Sequence, residues 1–554
     1  LADNNLEERL MTGADLLIRE LIDRGVANIF TLCGNGLDPI LNSAQNSGLR
    51  VIDTRNEQAA GYMADAVGRL TRRVGVVAAS AGVAHINALT GVCNSFFDGS
   101  PMLLITGATD SATVGRGHFQ DMDTVQISRP LCKFAQWVDR PGRIALAVQE
   151  SLSAALSGRP GPVHLTIPMD VLNAEVVDLP VARPKSRPAV YDCRAAADPL
   201  AIKEAVKLIE KSRQPMIIAG SGAFYADGSR PLARLAGILH APVAVPIWDR
   251  GAIEKPIREF VGIIGAASGE PNILPDADLV LLVGARVDYR VGYLEPPAIS
   301  AGAPVIRMEI DPHEMAQSIQ PDVPLLCDAR TGLNQLAEGL AAEGYKGNAA
   351  WLREARRRYR EFHRPWVEAP APAAPPITGR HIIDAVRSVA TEDTFLLVDG
   401  GNIGQWFHMA MCDRYPMRWM TCGASGVVGW GIPSAMAVRS VYPDKPILLL
   451  SGDGSATFTI AELEAATRQK LPFVCLVADD SAWGIVISMS RRRCSVPVGA
   501  KLSAIRFDQV AEGFGARGVR IEDPQKLAEA IQEGFKADRP TLIHVPIAHG
   551  GPTD

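Results

Sequence analysis

The chain has 554 residues, 47% of them hydrophobic and 21% charged, with a formal net charge of −5. That composition is ordinary for folded water-soluble domains, the length suggests about three of them, and the mild acidity argues against nucleic acid as the main partner. No apolar run is long enough to span a bilayer, Leu1 to Leu10 are polar and acidic rather than signal-like, and the nine cysteines include no C-x-x-C pair; the expectation is a reduced, zinc-free, cytoplasmic protein.

In chain order, Leu32-Cys33-Gly34-Asn35-Gly36 is a glycine-rich turn, where Asn35 is either a turn residue that tolerates the left-handed region or a polar group for a carbonyl. Residues 50–53 read as a strand leading into a helix that opens at Glu57. Ala59, Ala60, Gly61 and Ala64 make that helix thin, so another element can approach it closely. Glu57 in its first turn would complement the dipole of any helix. Apolar runs at 74–79, 102–106 and 163–167 read as further strands, and proline-rich residues 178–190 as an extended linker. Strand patterns return at 215–219, 279–283 and 304–310, and a second proline-rich linker is expected over 364–379. Strands follow at 394–398, 445–450, 472–477 and 541–545. The fold class is therefore α/β, mainly parallel, in three parts: 1–180, 190–350 and 375–554.

The third part carries the most specific chemistry. Its strand 445–450 runs into Ser451-Gly452-Asp453-Gly454-Ser455; a helix is expected over 461–470, with Glu462 and Glu464 in its first turn. The next strand ends in Ala478-Asp479-Asp480, which places Asp480 27 positions after Asp453. Strand, glycine-rich turn, helix and strand form a parallel crossover that brings both carboxylates to the carboxyl edge of a sheet, where open α/β sheets bind ligands. Glycines let backbone N–H groups approach a phosphate, and a hard cation can bridge the carboxylates to it.

This stretch resembles the diphosphate-binding motif of thiamin-diphosphate (ThDP) enzymes, Gly-Asp-Gly-Ser followed by roughly two dozen residues and usually Asn-Asn. The Asn-Asn pair is here Asp479-Asp480. A second constellation agrees: Arg55, Glu57, Ala60, Gly61, Ala64, Ala66, Gly68 and Arg69 match the family's signature around the glutamate that hydrogen-bonds the aminopyrimidine. With 158–163, 167–171, 94–107, Phe119-Gln120, Lys133, 307–312 and 423–433, the resemblance runs end to end, to the acetohydroxyacid synthase and benzaldehyde lyase branch.

The resemblance implies three doubly wound parallel-sheet domains: pyrimidine-binding (1–180), central Rossmann-like (190–350) and diphosphate-binding (375–554). It implies that Glu57 promotes the imino tautomer of the cofactor, so that an ylid and then an enamine can form. Gly401, Asn402, Ile403, Gly426, Val428, Gly452, Asp453, Gly454, Ser455, Asp480, Trp483, Gly484 and Ile485 would hold the cofactor; Asp453, Asp480 and the Ala482 carbonyl would bind Mg2+, with Ca2+ tolerated. Val428 stands where the family usually has Met, so Ile485 is expected to complete the wedge beneath the bent cofactor. On the substrate side the expected residues are Asn35, Gln120 and His85, with His85 equally open to a structural role and His118 facing solvent. Met489 replaces the Trp of the branched-chain synthases, and Trp483 is expected to fill that pocket instead. In the central part, 284–291 and Gly220-Ser221-Gly222 resemble flavin-contacting segments, but FAD is the less favoured option. A homodimer is the implied minimum unit and a homotetramer the expected assembly, acting on a small 2-oxo acid, aldehyde or acyloin, with no nucleic acid or membrane partner. The reading is a ThDP-dependent lyase or carboligase, acetolactate-synthase-like. The alternatives are a simple 2-oxo-acid decarboxylase, disfavoured because the 33–36 turn lacks acidic proton donors, and a silent binding subunit, disfavoured by Glu57 and Asp453.

Overall fold

A computed structural model describes residues 10–177, 194–249, 257–368, 371, 375–411 and 418–552. The chain forms two compact units, 1–192 with 436–441, and 193–435 with 442–554. They carry three six-stranded sheets in which every pairing is parallel, as the alternation of apolar strands with helices predicts.

The first unit holds one sheet, in the spatial order Arg50–Asp53, Asn28–Thr31, Gly75–Ala79, Met102–Ala108, Pro162–Pro168, Phe134–Trp137. The helix Glu57–Thr71 is as thin as its sequence predicts. It crosses the helix Val83–Asp98 at Gly61 and Gly91, so closely that a Cβ on Gly91 would lie 2.4 Å from the carbonyl carbon of Gly61. Beneath this crossing Arg69 is buried against Asp65 and Asp98, at 3.7 and 3.4 Å.

The second unit holds two sheets. The central one runs Val323–Leu326, Val305–Glu309, Leu279–Val283, Pro215–Ala219, Val243–Pro246, Phe260–Ile264. Side chains alternate along its strands: Ile217, Leu279, Leu281 and Met308 enter one core, and Met216, Ile218, Val280 and Leu282 the other. This is the doubly wound pattern, with a buried layer on each face. The other sheet runs Trp419–Thr421, Phe395–Asp399, Ile447–Gly452, Val474–Asp479, Thr541–Pro546, Arg517–Arg520. Ile247 and Ile263 share a core with Leu396, Leu448 and Val474, which ties these two sheets into one compact body.

Residues 178–190 lie outside the described residues. The stretch from 364 is not extended at its start: the helix Ala349–Val367 continues through Pro365. Tertiary packing overrides the proline there, because Tyr359, Trp366 and Val367 pack onto the shared core. No described helix is long and apolar enough to cross a membrane.

Candidate active site

In the C-terminal sheet the order of strands reverses between Phe395–Asp399 and Ile447–Gly452, and Asp399 pairs in register with Ser451. Connections leave such a switch point in opposite directions and open a crevice at the carboxyl edge. The two turns nearly touch: Gly400, at φ 138°, sits so near Gly452 that a Cβ there would lie 2.6 Å from the Gly452 nitrogen. Only glycine fits that position.

A cavity of about 280 Å³ opens at this point. It is lined by Gly401, Asn402, Ile403, Gly426, Val428, Gly452, Asp453, Gly454, Ser455, Asp480, Ala482, Trp483, Gly484 and Ile485. Every cofactor- and cation-binding residue expected from the sequence is thus gathered around one cavity. The local structure differs from the expectation in one respect. The glycine-rich turn at Asp453 is the first turn of the helix Asp453–Thr459, and the helices Gly401–Ala410 and Gly484–Arg492 begin on the same cavity. First-turn N–H groups have no intrahelical acceptor, so they are suited to an anion.

The carboxylates sort themselves by their partners. Asp453 is buried, accepts from Ala482 N at 3.1 Å, and is pushed up to about 7 by that burial, with Asp480 and Asp479 adding to the rise. Burial also raises Asp480, against the opposing effect of His549, whose Nδ1 lies 2.9 Å from Asp480 Oδ2. Asn402 directs its amide toward Asp480, yet its buried Nδ2 makes no hydrogen bond of good geometry. Asp479 turns elsewhere. Burial alone would raise it, but His544 Nε2 at 2.9 Å and the Ser481 N–H hold it below the ordinary carboxylate range. Two neighbouring carboxylates that burial raises are the mark of a site short of positive charge, whereas the amide N–H of Asn402 is a donor suited to an anionic oxygen. An oxygen-preferring divalent cation fits Asp453, Asp480 and the Ala482 carbonyl.

The apolar side of the cavity also follows the sequence. Ile485 packs on Gly401, where a Cβ would lie 2.6 Å from its side chain, and it shares the cavity wall with Val428. Trp483 closes over Gly454 and meets Phe458 edge-on at 6.2 Å, while Met489 is exposed. The sequence reading missed several residues. Trp248, Thr421 and Ile547 line the cavity without a motif to mark them. Gln405 accepts from Ser268 N and Oγ, tying the helix Gly401–Ala410 to the central part. Asp399, fully buried and raised to about 6 by that burial, accepts from Gly431 N at 2.7 Å.

The first unit presents its own set at the carboxyl edge of its sheet. Glu57 opens its helix behind the N-cap Asn56, half-buried, and accepts at Oε2 from Asn87 Nδ2 at 3.0 Å. Asn35 is exposed in the turn after Asn28–Thr31, and that turn backs onto Gly107 through Gly36. Gln120 adopts φ 62° and packs on Gly82, with its Oε1 buried and lacking a hydrogen-bond donor. His118 is exposed, as expected. His85 is a correction. It is fully buried, with Nδ1 2.8 Å from Thr106 Oγ1 and Nε2 3.1 Å from Ser128 Oγ, and burial lowers it to about 4. A neutral ring with both nitrogens taken in the core has no free atom for a substrate.

The central Gly220-Ser221-Gly222 turn is filled by the protein itself. Ser221 N donates to Asp249 Oδ2 at 3.1 Å, and Asp249 pairs with Arg290 at 2.5 Å. Asp249 thus takes the Ser221 N–H that a phosphate of a bound dinucleotide would need.

Comparison with known proteins agrees with this geometry. Three models of the thiamine pyrophosphate enzyme family match: the N-terminal TPP binding domain over 11–127, the central domain over 202–336 and the C-terminal TPP binding domain over 399–545. The "Probable acetolactate synthase large subunit" of Methanocaldococcus jannaschii is 27% identical, covering 97% of this chain and 92% of the relative. The acetolactate synthase isozyme 3 large subunit of Escherichia coli K12 is 27% identical over 98% and 95%. The 2-hydroxyacyl-CoA lyase 2 of Danio rerio is 29% identical over 97% and 91%.

Proposed function

The chain belongs to the thiamin-diphosphate-dependent enzymes, in their acetohydroxyacid-synthase-like branch, and on that premise we propose that it is a ThDP- and Mg2+-dependent C–C lyase or carboligase acting on a 2-oxo acid or acyloin. The observation that carries the proposal is the cavity at the switch point of the C-terminal sheet, with its helix first turns, its carboxylates of raised pKa and its apolar wedge.

Bound ThDP supplies a carbon nucleophile and an electron sink for breaking and making a C–C bond. The chain's residues do the rest. First-turn N–H groups of Gly401–Ala410 and Gly484–Arg492 would receive the diphosphate. Asp453, Asp480 and the Ala482 carbonyl would hold Mg2+, whose charge would favour the ionised form of both carboxylates. Val428 and Ile485 form the wedge, and Trp483 is an aromatic wall. Glu57 would exchange a proton with the aminopyrimidine through Oε1, since Asn87 Nδ2 already donates to Oε2. Asn35 and Gln120 contact the acceptor carbonyl.

We place Glu57 on cofactor held by residues 375–554 of a second copy, which makes a homodimer the minimum unit and a homotetramer the expected assembly. The three-domain division at 1–180, 190–350 and 375–554 belongs to the same proposal. The described cysteines are all free, which supports the cytoplasm as compartment.

The test is a donor panel of pyruvate, glyoxylate, benzoin and acetoin with ThDP and Mg2+, products read by mass spectrometry. A new or cleaved C–C bond from at least one donor is expected. ThDP-saturated protein that turns over none of them overturns the assignment of substrate class.

A further inference from the structure

Asp479-Asp480 carries two charges where the family's Asn-Asn carries none, and the structure meets each with its own histidine. His544, in the last strand, takes Asp479; His549, five residues on, takes Asp480 Oδ2 at 2.9 Å. The segment holding His549 is itself tied down. Ile547 N donates to the Asp479 carbonyl at 2.9 Å, Ala548 N to the Ile377 carbonyl at 2.7 Å, and Trp406 Nε1 to the Gly550 carbonyl at 3.3 Å. His549 is thus presented by backbone anchored on both sides. Asp480 is 6% exposed at its side chain and lines the cavity, so its rotation is set by what holds it.

We propose that His549 is a positioning residue for the divalent-cation site: it holds Oδ2 of Asp480 and leaves Oδ1 aimed at the cation. An asparagine has a single side-chain oxygen, and its amide end settles which atom faces the metal. An aspartate has two equivalent oxygens and no amide end to orient it, so the rotation of its carboxylate is set by an outside partner, which His549 supplies. Hydrogen bonds to a ligating carboxylate fix its orientation, and their loss typically weakens a metal about 10- to 100-fold. The inference rests on the cation-site reading above and extends it to a residue outside the cavity lining.

The experiment is Mn2+ binding to full-length protein saturated with ThDP, with free Mn2+ counted by electron paramagnetic resonance, beside thermal melts of the metal-free protein. His549→Phe keeps a ring and removes the donor, so it should weaken Mn2+ about tenfold or more while the metal-free Tm stays near wild type. His549→Asn returns an N–H near the Nδ1 position and should recover affinity to within about threefold. In an Asp480→Asn background, whose amide fixes its own orientation, His549→Phe should change affinity by less than about threefold. Unchanged or tighter binding by His549→Phe overturns the proposal, since tighter binding means that His549 competes with the cation. An equal loss in both backgrounds also overturns it. Wild-type protein that binds ThDP but no Mn2+ overturns the cation-site reading itself, and the wild-type arm tells that failure apart.

Discussion

Asp453 shows how one side chain couples the site to stability. In the metal-free protein its carboxyl is raised to about 7, whereas an unfolded aspartate titrates near about 3.9. Across that window the folded state binds more protons than the unfolded one, so this group's contribution is fully present below about pH 4 and is lost as pH rises through about 7. The Tm of metal-free wild type, measured relative to Asp453→Asn, should therefore fall from about pH 5 to about pH 7. Saturating Mg2+ and ThDP should abolish the fall by favouring the ionised form. A Tm difference that is flat with pH would remove Asp453 as the cause. Gln120 gives the second residue-scale prediction. Its Oε1 is buried without a donor, and Asn35 is exposed in a turn on the same sheet edge. Replacing either with Ala should shift product toward released aldehyde, by a lost hydrogen bond of roughly 1–3 kcal/mol, while deuterium exchange at the cofactor's C2 stays near wild type. Exchange that collapses together with ligation would assign both residues to the cofactor instead. At this scale the sequence was legible where spacing fixes position: Asp453 and Asp480, 27 positions apart, do line one cavity, and Glu57 does open its helix. His85 was not legible, because only the positions of Thr106 and Ser128 show that its two nitrogens are already satisfied. His549 was equally silent, since its partner lies 69 residues away.

Elements were legible through periodicity, and their ends less so. The strands at 215–219 and 279–283 appear where the apolar runs stand, and the small residues after Glu57 do make a thin helix. The turn read from glycine at 452–454 is a helix start, because a glycine signals close backbone approach without saying what the chain does next. The Pro365 signal failed because packing of Trp366 and Val367 carries the helix past it. The contact between the helices Glu57–Thr71 and Val83–Asp98 makes its own prediction. Gly91→Val places carbon atoms inside contact distance of the Gly61 backbone, which cannot yield as a side chain can. Overpacking of this kind costs about 1–3 kcal/mol, so the urea midpoint should drop with an unchanged m-value; an unchanged midpoint would show the crossing to be loose. The central sheet supplies another. With Asp249 seated on the Ser221 N–H, purified protein should release no flavin on heat denaturation, and stoichiometric flavin absorbance would overturn that reading.

At the scale of the molecule, Glu57 lies in the first compact unit, while Asp453 and the cavity belong wholly to the second. The proposed dimer assigns each Glu57 to cofactor held by the other copy, and a complementation experiment isolates that claim. Glu57→Gln removes the proton-exchanging carboxyl and leaves the cavity intact; Asp453→Ala removes a cation ligand and leaves Glu57 intact. Each variant alone should be inactive to within orders of magnitude. The two chains are co-expressed with different affinity tags, and the mixed species is purified through both. In a mixed dimer with crossed sites, one site combines an intact cavity from the Glu57→Gln chain with an intact Glu57 from the Asp453→Ala chain, and the other site carries both defects. A two-fold dimer then recovers about half of wild-type turnover per dimer. If each Glu57 serves its own chain, every site in the mixed species carries one defect and turnover stays at the level of the single variants. Recovery therefore requires a shared site, and its absence in a folded, ThDP-binding mixed dimer rules the crossed arrangement out.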